Sequence, residues 1–154
     1  MQFALQNIEQ LNKQLIHIVS NTSIETINTI PTGFNNNMAW HIGHIATTNY
    51  SLAFKVTGVD INFDIPFSEK YKKGTKPETA ISQEELNELL NLLNTFSDAI
   101  EVAAKAERFN TITTYTTGTF GVANTSIDEM LITIAMHYTM HFQSIKDYKK
   151  ILEA

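Results

Sequence analysis

Residues 126–152 read SIDEMLITIAMHYTMHFQSIKDYKKIL, and their apolar side chains recur every three or four positions. This spacing predicts an α-helix that begins at Thr125 or Ser126, where Glu129 completes a capping-box pattern with Ser126. One face of the predicted helix contains Met130, Ile134, His137, His141, Ile145, Tyr148 and Leu152. Two histidines therefore lie in an otherwise apolar stripe.

Three further segments have the same periodicity. The first runs from about Phe3 to Ser20, and the second follows the Asn35-Asn36-Asn37 run and extends to Gly58. The third begins at Ser82, where Glu85 gives another capping-box spacing. Four amphipathic helices predict an all-α four-helix bundle, since each helix must bury its apolar stripe against the others.

Two connections between these helices are long. Residues 58–81 contain Pro66 and Pro77 and exceed the length of a tight turn, which predicts a crossover between helices two and three. Residues 111–120 are rich in threonine and favour an extended strand or a short hairpin before Gly121.

The composition limits the class of protein. The chain has 154 residues, 43% of them hydrophobic, which is enough for one domain, 1–154, with a core that needs no metal or disulfide to fold. The net charge of -5 argues against nucleic-acid binding, because phosphate contacts need a clustered basic surface. With no cysteine, a metal must be held by nitrogen and oxygen ligands, and a thiol must come from outside the chain.

The first residues, MQFALQ, lack the basic segment and apolar run of a secretory signal. No uncharged stretch approaches the roughly 20 apolar residues that a membrane span needs. We therefore expect a cytoplasmic protein with no membrane partner.

The histidines are the candidate functional residues. His137 and His141 are four residues apart on one helix face, a spacing at which two imidazoles can reach one ion. A third nitrogen can come from the second helix, where the helical periodicity places His41 nearer the centre of the apolar face than His44. The alternative is that each is a structural imidazole bonded to a carbonyl or hydroxyl. His17 lies off the apolar stripe and is expected at the surface.

Two motifs resemble those of a known family. Trp40-His41-Ile42-Gly43-His44-Ile45 resembles the W-x-x-x-H-I signature of the DinB-like family, and residues 137–143, HYTMHFQ, resemble its H-x-x-x-H element. The resemblance extends over the whole chain and implies an up-down-down-up bundle. It further implies a divalent metal (zinc, nickel or iron) held by His44, His137 and His141, with His41 as their neighbour. On the second helix, the resemblance therefore implies His44 as the ligand, whereas the helical periodicity favours His41.

The resemblance also implies a function. DinB-like proteins include thiol S-transferases that use a low-molecular-weight thiol, thiol-dependent isomerases, and domains attached to iron-dependent sulfur-chemistry enzymes. By resemblance, the metal lowers the pKa of a small thiol, whose thiolate then attacks an electrophilic small-molecule substrate. Family members often pair through bundle faces, which implies a homodimer.

Two other functions stay open. One is a metal-dependent hydrolase with His41 as general base, which requires His41 within one hydrogen bond or one water of the attacking oxygen. The other is a non-catalytic, stress-related binding protein. The Lys70-Tyr71-Lys72-Lys73 cluster is typical of a solvated loop, and the alternative is that it guides an anionic thiol or substrate.

Supporting roles are also open at a few polar residues. Thr47, Thr48 and Gln143 are close in sequence to the candidate ligands, although a helical threonine more often bonds its own backbone. Tyr138 is either a proton donor or a packing residue.

Overall fold

The computed structural model describes residues 1–154 and is mostly helical, which confirms the all-α fold class. The helices are α1 (Gln2–Ser20), α2 (Ile24–Asn28), α3 (Met38–Tyr50), α4 (Ser68–Tyr71), α5 (Gln83–Lys105) and α6 (Ile127–Leu152). A π-helical segment, Ser51–Lys55, continues α3. Strands β1 (Tyr115–Thr116) and β2 (Ala123–Asn124) form a two-stranded antiparallel sheet.

The four long helices form the bundle. Helices α1 and α3 each pack against both α5 and α6, so α1 and α3 occupy opposite corners, as do α5 and α6. The buried side chains of α6 include Met130, Ile134, His137, Ile145 and Tyr148 from the predicted stripe. No helix is both long enough and apolar enough to cross a membrane.

The predicted helix starts are confirmed by their caps. The Asn37 side chain accepts a hydrogen bond from the Trp40 backbone N–H at 2.8 Å, and Ser82 Oγ accepts one from Glu85 N–H at 3.1 Å. At α6, Ser126 Oγ accepts from Glu129 N–H at 3.3 Å, while the Glu129 carboxylate accepts from Thr125 N–H. Both residues considered for this start therefore take part in the cap.

A buried hydrogen-bond network links three of the bundle helices. The Tyr138 hydroxyl donates to Asn12 Oδ1 at 2.8 Å, and Asn12 Nδ2 donates to the Leu93 carbonyl at 2.8 Å. Because these polar groups satisfy one another, they can be buried without a large desolvation cost. Tyr138 is thus a packing residue between α6 and α1, rather than a proton donor at the histidines.

Three details differ from the sequence prediction. The second bundle helix is α-helical only to Tyr50, and an inserted turn in which Val56 N–H bonds the Ser51 carbonyl follows it. Hydrophobic periodicity does not resolve such a turn, because one extra residue barely changes the pattern. The predicted hairpin has its second strand after Gly121, and the short helices α2 and α4 lie in segments predicted as connections.

Helix α4 anchors the crossover to the bundle through Tyr71. This side chain is buried on α3, and its hydroxyl donates to Glu85 of α5. A Cβ atom at Gly43 would lie 2.5 Å from the Tyr71 ring, so the ring packs directly on the α3 backbone where it has no side chain. Glycine is required at position 43 for this close approach.

We expect Gly43→Ala to destabilise the protein by about 1–3 kcal/mol, because the buried Tyr71 ring must move and the core is overpacked. This cost exceeds the roughly 0.5–1 kcal/mol that alanine gains over glycine in a helix. Urea denaturation measures the difference. Gly118→Ala is the control, since its Cβ would approach nothing closer than Lys73 Nζ at 3.8 Å. A Gly43→Ala variant as stable as the wild type would contradict this packing argument.

Candidate metal centre

Three histidines from two packed helices converge. His44 of α3 and His137 and His141 of α6 each place one ring nitrogen within 4.8 Å of the others. The Nε2 atoms of His137 and His141 are 3.2 Å apart, as expected for residues one helical turn apart that face the same point. The structure thus brings together the three histidines that the family resemblance implied.

His44 is oriented by the crossover. Its Nδ1 donates a hydrogen bond to the Tyr71 carbonyl oxygen at 2.7 Å, which leaves Nε2 without a proton and with a free lone pair. The Trp40 ring stacks on the His44 ring at 4.7 Å, and Trp40 Nε1–H donates to Thr75 Oγ1 at 2.9 Å. The imidazole is therefore held by a backbone carbonyl on one edge and by an aromatic ring on one face.

His41 lies behind His141. The Nδ1 atoms of the two rings are 2.8 Å apart, so one of them donates to the other. When His141 donates, its Nε2 carries the lone pair that faces His137 and His44. His41 does not line the cavity described below, and its own Nε2 is buried without a partner. This geometry suits a residue that orients His141.

The donor set fits a divalent cation. Two nitrogen ligands at about 2.0–2.1 Å from one tetrahedral zinc ion lie about 3.3 Å apart, close to the separation of the two α6 nitrogens. In addition, two imidazole lone pairs that face each other repel unless a proton or a cation lies between them. His137 Nδ1 is buried without a hydrogen-bond partner, so the surrounding protein does not fix which nitrogen of His137 carries the proton. Imidazole nitrogen suits zinc, nickel and iron alike.

The histidines line the inner wall of a cavity of about 580 Å³. The β1–β2 hairpin contributes the segment 117–120 to the cavity wall, and the crossover contributes Lys72 and Lys73. The π-helical segment adds Ser51 and Lys55. A small molecule can therefore reach the cluster from one side, while the bundle core closes the other.

The comparison with known families agrees with this geometry. A family model described as DinB superfamily matches residues 7–145. The chain belongs to the DinB superfamily. No curated protein matches it significantly.

Burial keeps the histidines of this DinB superfamily protein neutral at neutral pH. Burial and, to a smaller extent, the neighbouring histidines lower the pKa of His41 and of His137 to about 4, and that of His141 to about 2. Burial also lowers the pKa of His44, the Tyr71 carbonyl raises it, and nearby Lys73 lowers it. Neutral imidazole is the form that binds metals, so the histidines need not release protons before a metal ion can bind.

Two of the other polar residues considered from the sequence have partners on their own helix. Thr47 Oγ1 donates to the Gly43 carbonyl at 2.9 Å, and Gln143 Nε2 donates to Asp147 at 2.9 Å on the exposed side of α6. Thr48 lines the cavity, and His17 is exposed as expected. The sequence does not predict the hydrogen bond from His44 to the Tyr71 carbonyl, because every residue has a backbone carbonyl and side-chain patterns cannot single one out.

We expect the metal-free protein to lose stability as the pH falls from about 6.5 towards 4. In this range the histidines of the unfolded chain bind protons, whereas buried His41 and His137 resist protonation until about pH 4. The unfolded state then binds more protons, so the free energy of unfolding rises with pH and falls with acidification.

Urea denaturation of the chelator-treated protein at several pH values measures this slope. Replacing His137 by glutamine should reduce the dependence of the unfolding free energy on pH, because it removes one imidazole that resists protonation in the folded state. His17→Gln, which alters an exposed histidine outside the cluster, is the matched control. A slope that is unchanged in His137→Gln would show that the buried histidines do not cause the effect.

Proposed function

We propose that this DinB superfamily protein binds one divalent metal ion through His44, His137 and His141 and transfers a low-molecular-weight thiol to an electrophilic small molecule. The observation that carries the proposal is the convergence of three ring nitrogens on the wall of an open cavity. Three neutral imidazoles from the protein leave further coordination positions free, as in catalytic rather than structural metal sites.

The metal supplies one piece of chemistry when bound: as a Lewis acid it lowers the pKa of a small thiol. The chain has no cysteine, so the sulfur nucleophile must enter from solution. In the transfer, the thiolate sulfur forms a bond to the electrophilic carbon, and the leaving group departs with the bonding electron pair. The thiol proton passes to solvent.

The residues around the cluster have positioning roles in this proposal. The Tyr71 carbonyl holds the His44 ring through its Nδ1–H, and in this proposal His141 takes the tautomer whose Nδ1–H donates to His41 Nδ1. Trp40 covers one face of the His44 ring and excludes water from it. Partners of this kind fix the tautomer and orientation of a ligating histidine.

Oligomeric state is a separate proposal. Exposed apolar side chains on α1 and α6, among them Phe3, Ile132 and Met136, support the homodimer expected from the family resemblance.

The metal assignment predicts the behaviour of single histidine variants. The wild type should take up about one equivalent of zinc, and His44→Ala, His137→Ala and His141→Ala should each lose it while keeping the helical circular-dichroism signal. His41→Ala should keep the stoichiometry with affinity lowered about 10–100-fold, since it removes only a partner of a ligand. Elemental analysis and competition with a chromophoric chelator measure both quantities.

His17→Ala is the control, because it removes an exposed imidazole that lies outside the cluster. Loss of zinc in His41→Ala together with its retention in His44→Ala would move the α3 ligand to His41, the residue that helical periodicity favoured. A wild type that takes up no zinc, nickel or iron would overturn the metal proposal.

The thiol proposal predicts catalysis of a model reaction. Zinc-loaded protein should accelerate the attack of 3-mercaptopropionate on 1-chloro-2,4-dinitrobenzene about 10-fold or more at pH 7, because a free alkyl thiol is almost entirely protonated there and the thiolate is the nucleophile. Absorbance of the thioether product gives the rate, and His137→Ala measures the background. Metal binding without acceleration by any of several thiols and electrophiles would favour the non-catalytic binding protein.

A further inference from the structure

We propose that Lys73 and Lys55 form an anion-binding subsite of the cavity, which binds a carboxylate of the small molecule that reaches the histidines. The inference rests on the proposed function for the role of the histidines. It goes beyond that function because it assigns the charge of the ligand and the residues that recognise it.

The cavity is positively charged in an otherwise acidic protein. The chain has a net charge of -5, yet the charged residues that line the cavity are Lys55, Lys72, Lys73 and Glu69. Lys72 Nζ lies 2.6 Å from Glu69, so these two charges largely neutralise each other. The ammonium groups of Lys55 and Lys73 form no direct ion pair, although Lys72 and, to a smaller extent, nearby Lys55 lower the pKa of the Glu69 carboxyl.

Lys73 is the nearer of the two to the histidines. It follows Tyr71, whose carbonyl holds His44, by two residues. Its Nζ extends towards Gly118 in the opposite wall of the cavity, 3.8 Å from where a Cβ would be. The Lys73 side chain thus extends from the crossover towards the β1–β2 hairpin, in the same cavity that the three histidines line.

Lys55 lies further along the same wall. The residues His44, Thr48, Ser51 and Lys55 follow one another at intervals of four, three and four and all line the cavity. Eleven residues correspond to roughly 16 Å along an α-helix, so the Lys55 backbone lies several turns away from His44. We therefore assign Lys73 to the carboxylate nearest the reacting sulfur, and Lys55 to long-range attraction or to a second acidic group.

The ligand chemistry follows from these positions. A lysine ammonium binds anions as a point charge, and a carboxylate within a few bonds of a sulfur can reach Lys73 while the sulfur reaches the histidines. Neutral or cationic molecules gain nothing from these lysines. The carboxylate belongs either to the thiol or to its electrophilic partner, and the probes below distinguish the two.

The test uses isothermal titration calorimetry on the zinc-loaded protein at pH 7.5, with three probes. These are 3-mercaptopropionate, the neutral thiol 2-mercaptoethanol, and glutarate, which carries carboxylates and no thiol. We expect the acidic thiol to bind about 10-fold more tightly than the neutral one. Lys73→Gln should remove most of this preference and Lys55→Gln a smaller part, and the affinity for 2-mercaptoethanol, whose only negative charge is its thiolate, should fall less than that for 3-mercaptopropionate.

Lys13→Gln is the matched control, because Lys13 is exposed on α1, has no ion pair and does not line the cavity. Zinc content is measured for every variant, which separates loss of the anion subsite from loss of the metal. Equal binding of both thiols by the wild type, with glutarate binding independent of Lys73, would overturn the subsite. The same loss in Lys13→Gln would also overturn it, since the effect would then be one of net charge.

The remaining outcomes separate this inference from the proposed function. If neither thiol binds but glutarate binds in a Lys73-dependent way, the subsite stands and the thiol function fails. If both thiols bind equally while glutarate depends on Lys73, the carboxylate belongs to the electrophile. If none of the three probes binds, both proposals fail.

Discussion

The packing of α3 against α6 is the contact on which the candidate site depends, because it places His44 opposite His137 and His141. A buried imidazole has two nitrogens, and each needs a partner if burial is not to cost stability. The Tyr71 carbonyl is hydrogen-bonded to one nitrogen of His44, and His41 is hydrogen-bonded to one nitrogen of His141. One further nitrogen each of His44, His137 and His141 faces the others, an arrangement that a shared cation stabilises, whereas His137 Nδ1 and His41 Nε2 are buried without a partner.

The crossover has a larger role than joining two helices. Within eight residues, 68–75, it supplies the Tyr71 ring that packs on Gly43, the carbonyl that orients His44 and the hydroxyl that binds Trp40. The same segment carries Lys73 to the cavity. The proposed metal site and the proposed anion subsite therefore both depend on one segment, which is held to the bundle by the buried Tyr71 ring and by hydrogen bonds to α3 and α5.

Much of the fold follows from local patterns. The apolar stripes and the caps at Asn37, Ser82 and Ser126 predict the long helices because each signal acts within one or two turns. The π-helical turn at Ser51–Lys55 and the short helix α4 were not predicted, since they depend on what packs against them. The second strand, Ala123–Asn124, lies beyond the segment that the sequence predicts to be extended. A strand of two residues has no sequence pattern of its own, and it forms only because it pairs with Tyr115–Thr116.

At the candidate site, the sequence by itself determined the residue types and their spacing: His137 and His141 one turn apart, two histidines on another helix, and no cysteine to compete as a ligand. It left open which of His41 and His44 joins the pair, because periodicity gives the direction of a side chain only within a broad arc. The tertiary structure places His44 in the cluster and His41 behind His141. It also brings Tyr71 and Lys73 to the same place, since contacts between residues far apart in the chain are set by packing.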